Sequence, residues 1–207
     1  MRIIAGTKRG MTLLSPKTDS SRPITDRVKE SLFNVLFNYG LPGGRPVADL
    51  FCGVGSLGLE ALSRGAKFVT FVEKDERIIA TLKKNIEKAG FAKDSKVVRA
   101  NAFAVGATLA VGAERYKLIF VDPPYAATDI ADSDSPLGRL LDVLSEQVAD
   151  DAMVIVRTRS DVSLLNQYGP FRIAERRQWG TMAVTILTNA KSDIPENDKQ
   201  AGGNQDH

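Results

Sequence analysis

The 207-residue chain predicts an α/β fold. The expected form is a doubly wound, mostly parallel sheet of seven strands, closed by a C-terminal antiparallel hairpin and preceded by a short basic extension. Three observations predict it. Five short apolar runs rich in strand formers alternate with helical periodicity between Pro46 and Thr158. The first run feeds a glycine-rich loop, Cys52-Gly53-Val54-Gly55-Ser56-Leu57-Gly58, that opens a helix. The last two runs are split only by Gln178-Trp179-Gly180, which suits a hairpin.

The elements follow in order. Arg2–Ala5 and Met11–Leu14 suit a short hairpin whose tip carries Lys8 and Arg9. Thr25 is the expected N-cap of a helix with Asp26 in its first turn. Val28, Leu32, Phe33, Val35 and Leu36 form its apolar face and Gly40 ends it. Arg27 and Lys29 are expected off that stripe, free for a partner. Strands are expected at Pro46–Phe51, Lys67–Glu73, Ser95–Ala100, Tyr116–Val121 and Ala152–Thr158, then Phe171–Arg177 and Thr181–Thr188. Helices are expected after the glycine loop and over Asp75–Ala89, Ala104–Ala113 and Leu137–Val148. Ala126–Ser135, polar and without periodicity, is expected to be a mobile flap. Three regions result: a basic extension over 1–45, a catalytic domain over 46–189 and a polar tail over 190–207, expected to be disordered.

Composition narrows the chemistry. At 43% hydrophobic residues the chain can bury one proper core. No apolar run approaches the roughly 20 residues of a membrane helix, and the first residues lack a signal-peptide core. A soluble cytoplasmic protein is therefore expected. A lone Cys52 allows neither an internal disulfide nor a cysteine zinc cluster, so no metal is expected. The sole histidine is His207, which removes a histidine base from consideration. The net charge is +3, but residues 1–45 hold eight cations against three anions while 190–207 hold two against four. The positive excess thus lies in the amino-terminal arm, as a polyanion partner such as nucleic acid would require.

The chemistry is expected at two strand ends. Asp122-Pro123-Pro124-Tyr125 follows the fourth strand, and two prolines force the chain out of the sheet there. In open α/β sheets ligands bind at that edge. In the glycine loop, Gly53 and Gly55 let the backbone approach a ligand and Gly58 permits close packing of helix on strand. Glu73 ends the second strand and suits the two ribose hydroxyls of an adenosine-type cofactor.

A nicotinamide dehydrogenase and an S-adenosylmethionine methyltransferase both use such a loop and acid. Asp49 before the glycines, where it could organise the loop or reach a methionine amino group, favours the methyltransferase. So do the terminal hairpin and the Asp-Pro-Pro-Tyr turn, which serves amino-group methylation and has no use in hydride transfer. An exocyclic amino group is a poor nucleophile because its lone pair is delocalised into the ring. The Asp122 carboxylate and the Pro123 carbonyl can each accept one N–H, directing the lone pair outward and stabilising charge that develops on nitrogen. Tyr125 can stack on the base.

With both motifs in place, the chain resembles the RsmD-type 16S ribosomal RNA guanine-N2 methyltransferases of bacteria. The stretches that carry the resemblance are Arg2–Gly10, Arg22–Leu36, Asp49–Ala66, Phe71–Asp75, Asp122–Tyr125 and Trp179–Leu187. The resemblance implies a Rossmann-like class I methyltransferase using S-adenosylmethionine on one guanine of 16S rRNA. A small-subunit assembly particle as its partner and a monomeric state are separate expectations, with naked RNA left open. By position it implies that Gly53, Gly55 and Gly58 line the cofactor with Asp49 beside them, that Glu73 holds the ribose, and that Asn101 or Ala102 flanks the adenine. Asp122, Pro123 and Tyr125 would hold the guanine. Arg2, Lys8, Arg9, Arg22, Thr25 and Arg27 would face RNA. Cys52-Gly53-Val54-Gly55 departs from the commoner Ala-Gly-Ser-Gly. The alternatives are a DNA adenine or cytosine amino methyltransferase, a glutamine methyltransferase, and a non-catalytic RNA-binding assembly factor.

Overall fold

A computed structural model describes residues 1–15 and 24–189. Arg22 and the 190–207 region therefore lie outside the described residues. The fold is a Rossmann-like α/β sheet with helices on both faces. Its strands are β1 (Pro46–Leu50), β2 (Phe68–Glu73), β3 (Ser95–Arg99), β4 (Tyr116–Val121), β5 (Val148–Arg159), β6 (Gln167–Tyr168), β7 (Phe171–Trp179) and β8 (Met182–Asn189). Their order is β3-β2-β1-β4-β5-β8-β7-β6. The first five are parallel; β8 runs antiparallel to β5, and β7 antiparallel to β8. The expected hairpin is thus present. The expected seven strands are eight, because two residues at Gln167–Tyr168 turn back onto β7. A two-residue strand is too short to show alternation in sequence.

The helices are α1 (Asp26–Asn38), α2 (Ser56–Ser63), α3 (Glu76–Ala89), α4 (Ala102–Val105) and α5 (Pro136–Ser145). Thr25 caps α1, accepting from the Val28 N–H at 3.4 Å. Asp75 caps α3 and Gly90, in the left-handed conformation, ends it. Two expected helices are corrected. The weakly patterned small-residue stretch is helical only over α4, between the Asn101 cap and Gly106 at φ 62°. And α5 stops at Ser145, since Val148, four residues beyond Leu144 and so on its stripe, instead pairs with Tyr116 in the sheet.

Two apolar layers flank the sheet. One joins α1, α2, α3 and the amino-terminal segment, including Ile3, Leu13 and Phe33, to Val47, Phe120 and Ile155. The other packs α4 and α5 on Ala48, Leu50, Ile119 and Val154. The amino-terminal segment shares the first core rather than standing apart from it. Met1–Thr12 forms the expected hairpin around a short 3-10 turn, with an Arg2–Thr12 bridge and an Ile3 N–H to Met11 carbonyl bond of 2.9 Å.

Two further expectations fail. Lys29 is not free: it is buried, donating to the Arg2 carbonyl at 2.6 Å and the Ser56 hydroxyl at 3.2 Å, and it lies 3.5 Å from Glu60. It sits one turn before Phe33 on the buried stripe, and its charge disguised its place. The polar stretch 126–135 does not hang free either. Thr128 is fully buried, the Ala131 carbonyl accepts from the Tyr168 hydroxyl, and Ser135 caps α5.

Candidate active site

The strand order reverses between β1 and β4, and the site lies beyond their carboxyl ends. Leu50 is level with Val121, and the Asp122 N–H points at the Leu50 carbonyl at 3.4 Å. The glycine loop and the Pro-Pro corner are therefore immediate neighbours.

The loop leaves β1 through Phe51, whose φ of 56° is strained for a bulky side chain. Its ring packs on Phe103, 4.7 Å between centroids. Gly53 has φ 55° with open space where a side chain would stand. Gly55 has φ 88°, and a Cβ there would lie 2.5 Å from Leu82. Gly58 meets β2 rather than open space: a Cβ would lie 2.3 Å from the Phe71 ring. Its N–H donates to Asp49 Oδ2 at 2.8 Å, so Asp49 ties the helix start to β1. Glu73 holds the loop from the other side, accepting from Gly53 N at 3.1 Å, Lys74 N at 2.8 Å and Asp75 N at 3.0 Å. Val54 is buried, and its carbonyl accepts from Asn85 at 3.1 Å, an amide that also pairs with Leu14. The valine that departs from the commoner loop thus fills a core position. Cys52 is buried, and burial with the nearby Asp49 and Glu73 charges pushes its thiol pKa well up, away from the thiolate form.

Burial pushes Asp49 well above the usual carboxylate range; the Gly58 N–H opposes this, and the charges of Asp122 and Glu73 add to it. Burial also raises Asp122, against the pull of Arg157. Arg157, which sequence reasoning did not single out, stands against this turn. It forms an ion pair with Asp122 through Nε and Oδ1, and its guanidinium stands 5.9 Å from the centre of the Tyr125 ring. The signal was present in Ala152–Thr158: an arginine ending an otherwise apolar central strand. Pro123 is buried and Tyr125 half-buried. Among the described residues, no donor reaches the Pro123 carbonyl. Asn101 is exposed and caps α4 at Phe103 N, 3.2 Å, while Ala102 is buried.

The basic residues divide between the two ends of the sheet. Arg2, paired with Asp26 at 2.8 Å, lies with Thr25 and Arg27 at the start of α1, beside the site. Arg27 and Arg177 line a polar groove of about 460 Å³ between α1 and β7. Lys8 and Arg9 lie at the far end. The Lys8 N–H donates to Ser63 at the end of α2, and its ammonium stands 5.8 Å over Phe91, just before β3. No helix among the described residues is long and apolar enough to cross a membrane.

A glycine loop held open by Glu73, beside a carboxylate and an aromatic ring at the switch point, suits a sulfonium-bearing adenosine cofactor. Gly53 leaves room for close approach. Fold and relatives together point to one class, the methyltransferases. Residues 1–188 match the family described as "Conserved hypothetical protein 95", and the chain belongs to that family, the RsmD-type group whose motifs it shares. It is 34% identical to "Putative rRNA methyltransferase YlbH" of Bacillus subtilis (strain 168), over 90% of this chain and 97% of that one. It is 35% identical to "Ribosomal RNA small subunit methyltransferase D" of Escherichia coli (strain K12), over 79% of this chain and 77% of that one. The solved structure "Putative methyltransferase yhhF from Escherichia coli" superposes with a TM-score of 0.75 at 30% identity, covering 91% of this chain and 97% of its own.

Proposed function

We propose that the protein methylates ribosomal RNA, and specifically the exocyclic N2 amino group of a guanine in 16S rRNA. One observation carries the reading: the Asp122 N–H faces the Leu50 carbonyl at 3.4 Å, which sets the base-holding turn against the cofactor loop. Relatives named as rRNA methyltransferases, 34% and 35% identical, support the polymer. Asp49, Gly53, Gly55, Glu73, Asn101 and Ala102 hold the cofactor, and Gly58 seats the loop. Bound there, S-adenosylmethionine supplies an electrophilic methyl group.

The chain's own residues do the rest. Asp122 Oδ2 and the Pro123 carbonyl each accept one N–H of the amino group and aim its lone pair. The carboxylate stabilises the positive charge that grows on nitrogen and accepts the proton afterwards. Tyr125 stacks on the base once it is turned out of its neighbours. Arg2, Arg22, Thr25 and Arg27 contact the RNA backbone, with Lys8 and Arg9 reaching more distant segments. The substrate is RNA within a small-subunit particle, and the enzyme works as a monomer.

The test is mass spectrometry of nucleosides from a strain lacking the gene, complemented with the wild type or Asp122→Ala. Only the wild type should restore an N2-methylguanosine in 16S rRNA. An undiminished N2-methylguanosine content, with a methylated base lost from DNA instead, would overturn the reading.

A further inference from the structure

We propose that Arg157 is a positioning residue for methyl transfer: it fixes Asp122 as a one-sided acceptor and holds the Tyr125 ring at the angle the base requires. The inference rests on the reading above and assigns a residue that reading leaves without a role.

Three placements carry it. Val156 is level with Val121, so the next residues on the two strands, Arg157 and Asp122, stand side by side. Arg157 is also paired on its other flank, with Val184 of β8. It is therefore held between two strands, whereas Asp122 stands on a turn. Its guanidinium contacts both functional side chains of that turn, Asp122 by charge and Tyr125 through the ring. The two partners are only 13% and 20% exposed, so the charge pair acts where water screens little.

A carboxylate has two oxygens. Arg157 faces Oδ1, which leaves Oδ2 as the oxygen for a substrate N–H. An unpaired carboxyl at this depth tends to hold its proton, and a protonated Asp122 could neither accept an amino N–H as strongly nor stabilise charge on nitrogen. Asp49 on β1 also faces Asp122, but burial holds its own carboxyl toward the neutral form. Lys29 of α1 is committed to Glu60. Arg157 is thus the cation that draws Asp122 toward its ionised form, against the pull of burial.

The test compares Arg157→Gln and Arg157→Lys with the wild type. The Asp122 carboxyl is titrated by carbon-13 NMR without RNA, and kcat/KM is measured across pH. The sign is set by the pairing: removing the cation raises the Asp122 pKa, so the acid limb moves to higher pH. Arg157→Gln should titrate at higher pH than the wild type and transfer at least about tenfold slower at pH 7, a loss narrowing as pH rises. Arg157→Lys should recover most of the titration but only part of the rate, since an ammonium lacks the fork and the flat face. Binding of S-adenosylmethionine by calorimetry should stay within about twofold. An unmoved Asp122 titration, or an equal rate loss at every pH in both variants, overturns the proposal. The titration needs neither RNA nor turnover, so it judges Arg157 separately from the identity of the methylated base.

Discussion

Glu60 has no solvent exposure, yet both its oxygens are paired. It accepts from Ile4 N at 2.7 Å, Ala5 N at 3.0 Å and Arg64 Nε at 2.7 Å, and faces the Lys29 ammonium at 3.5 Å. It bolts the amino-terminal strand and α1 to the helix that follows the glycine loop. Breaking a buried ion pair from one side typically costs about 3–5 kcal/mol. Glu60→Ala should therefore lower the melting temperature by roughly 6–20 °C, at about 2–4 °C per kcal/mol for a domain of this size. Lys29→Met should cost less, because Glu60 keeps Arg64 and two backbone donors. Equal losses in a calorimetric comparison would mean that Lys29, not Glu60, holds the joint. Asp49 is the opposite case. Its folded pKa is raised above the ordinary 3.8, so the fold favours its neutral form. That contribution is complete below the unfolded pKa and is lost as pH rises through the folded one. Asp49→Asn keeps an oxygen for the Gly58 N–H and removes the buried charge. It should raise the melting temperature at pH 7 by more than at pH 4, while weakening cofactor binding. A variant less stable than the wild type at pH 7 would refute this. Both cases mark what the sequence leaves illegible at this scale. Asp49 was visible through its distance from the glycines. Lys29 and Arg157 were not, because a charged residue on an apolar stripe looks like an exception until its partner, 31 or 35 positions away, is placed beside it.

At the scale of elements the governing contact is α2 on β2. Gly58 lets the helix approach until the Phe71 ring occupies the space of a side chain. Gly58→Ala would set a methyl 2.3 Å from Phe71 Cε1 and 2.9 Å from Val69 Cγ1. Overpacking of this kind costs about 1–3 kcal/mol, and any retreat of the helix carries the loop with it. The expected result is a melting temperature lower by roughly 2–12 °C together with weaker cofactor binding. Adding Phe71→Leu should return part of both. If the double variant is no better than the single one, the Phe71 contact is not the cause. The central elements were legible because several independent signals agreed. For β1, the glycine loop and α2, these were an apolar run, three glycines and a helical stripe within the eighteen residues from Pro46 to Ser63. The boundaries that shifted lacked such agreement. Nothing in Ala104–Ala113 but small residues suggested a helix, and Gly106 ends it through backbone conformation alone. Val148 satisfied the α5 period yet joins β5, because pairing with Tyr116 buries it on the sheet.

Across the whole molecule, the basic residues that read as one patch in the sequence are divided by the fold. The amino-terminal hairpin runs beside α2, an eight-residue helix and hence about 12 Å long. Its open end meets the start of α1 near Arg27, and its tip, with Lys8 and Arg9, reaches Ser63 and Phe91 at the opposite edge of the sheet. Neighbours in the chain thus stand at opposite ends of α2, while Arg27 and Arg177, 150 positions apart, share a groove. Arg177 is level with Val184 and Val184 with Arg157 beside Asp122, so on the proposed function an RNA strand delivering one base to Asp122 passes that groove. Each phosphate contact adds about 0.7–0.9 to the slope of log affinity against log salt. Arg27→Ala should therefore lower both the affinity for RNA and that slope, by close to one contact. Arg9→Ala should act more weakly on a short oligonucleotide that fills only the catalytic end, and show its effect only on a longer RNA or an assembled particle. Binding titrations at several salt concentrations, on both lengths of RNA, separate the two. If Arg9→Ala and Arg27→Ala weaken the short oligonucleotide equally, the RNA wraps the hairpin tip even there, and the division of the basic surface has no functional meaning.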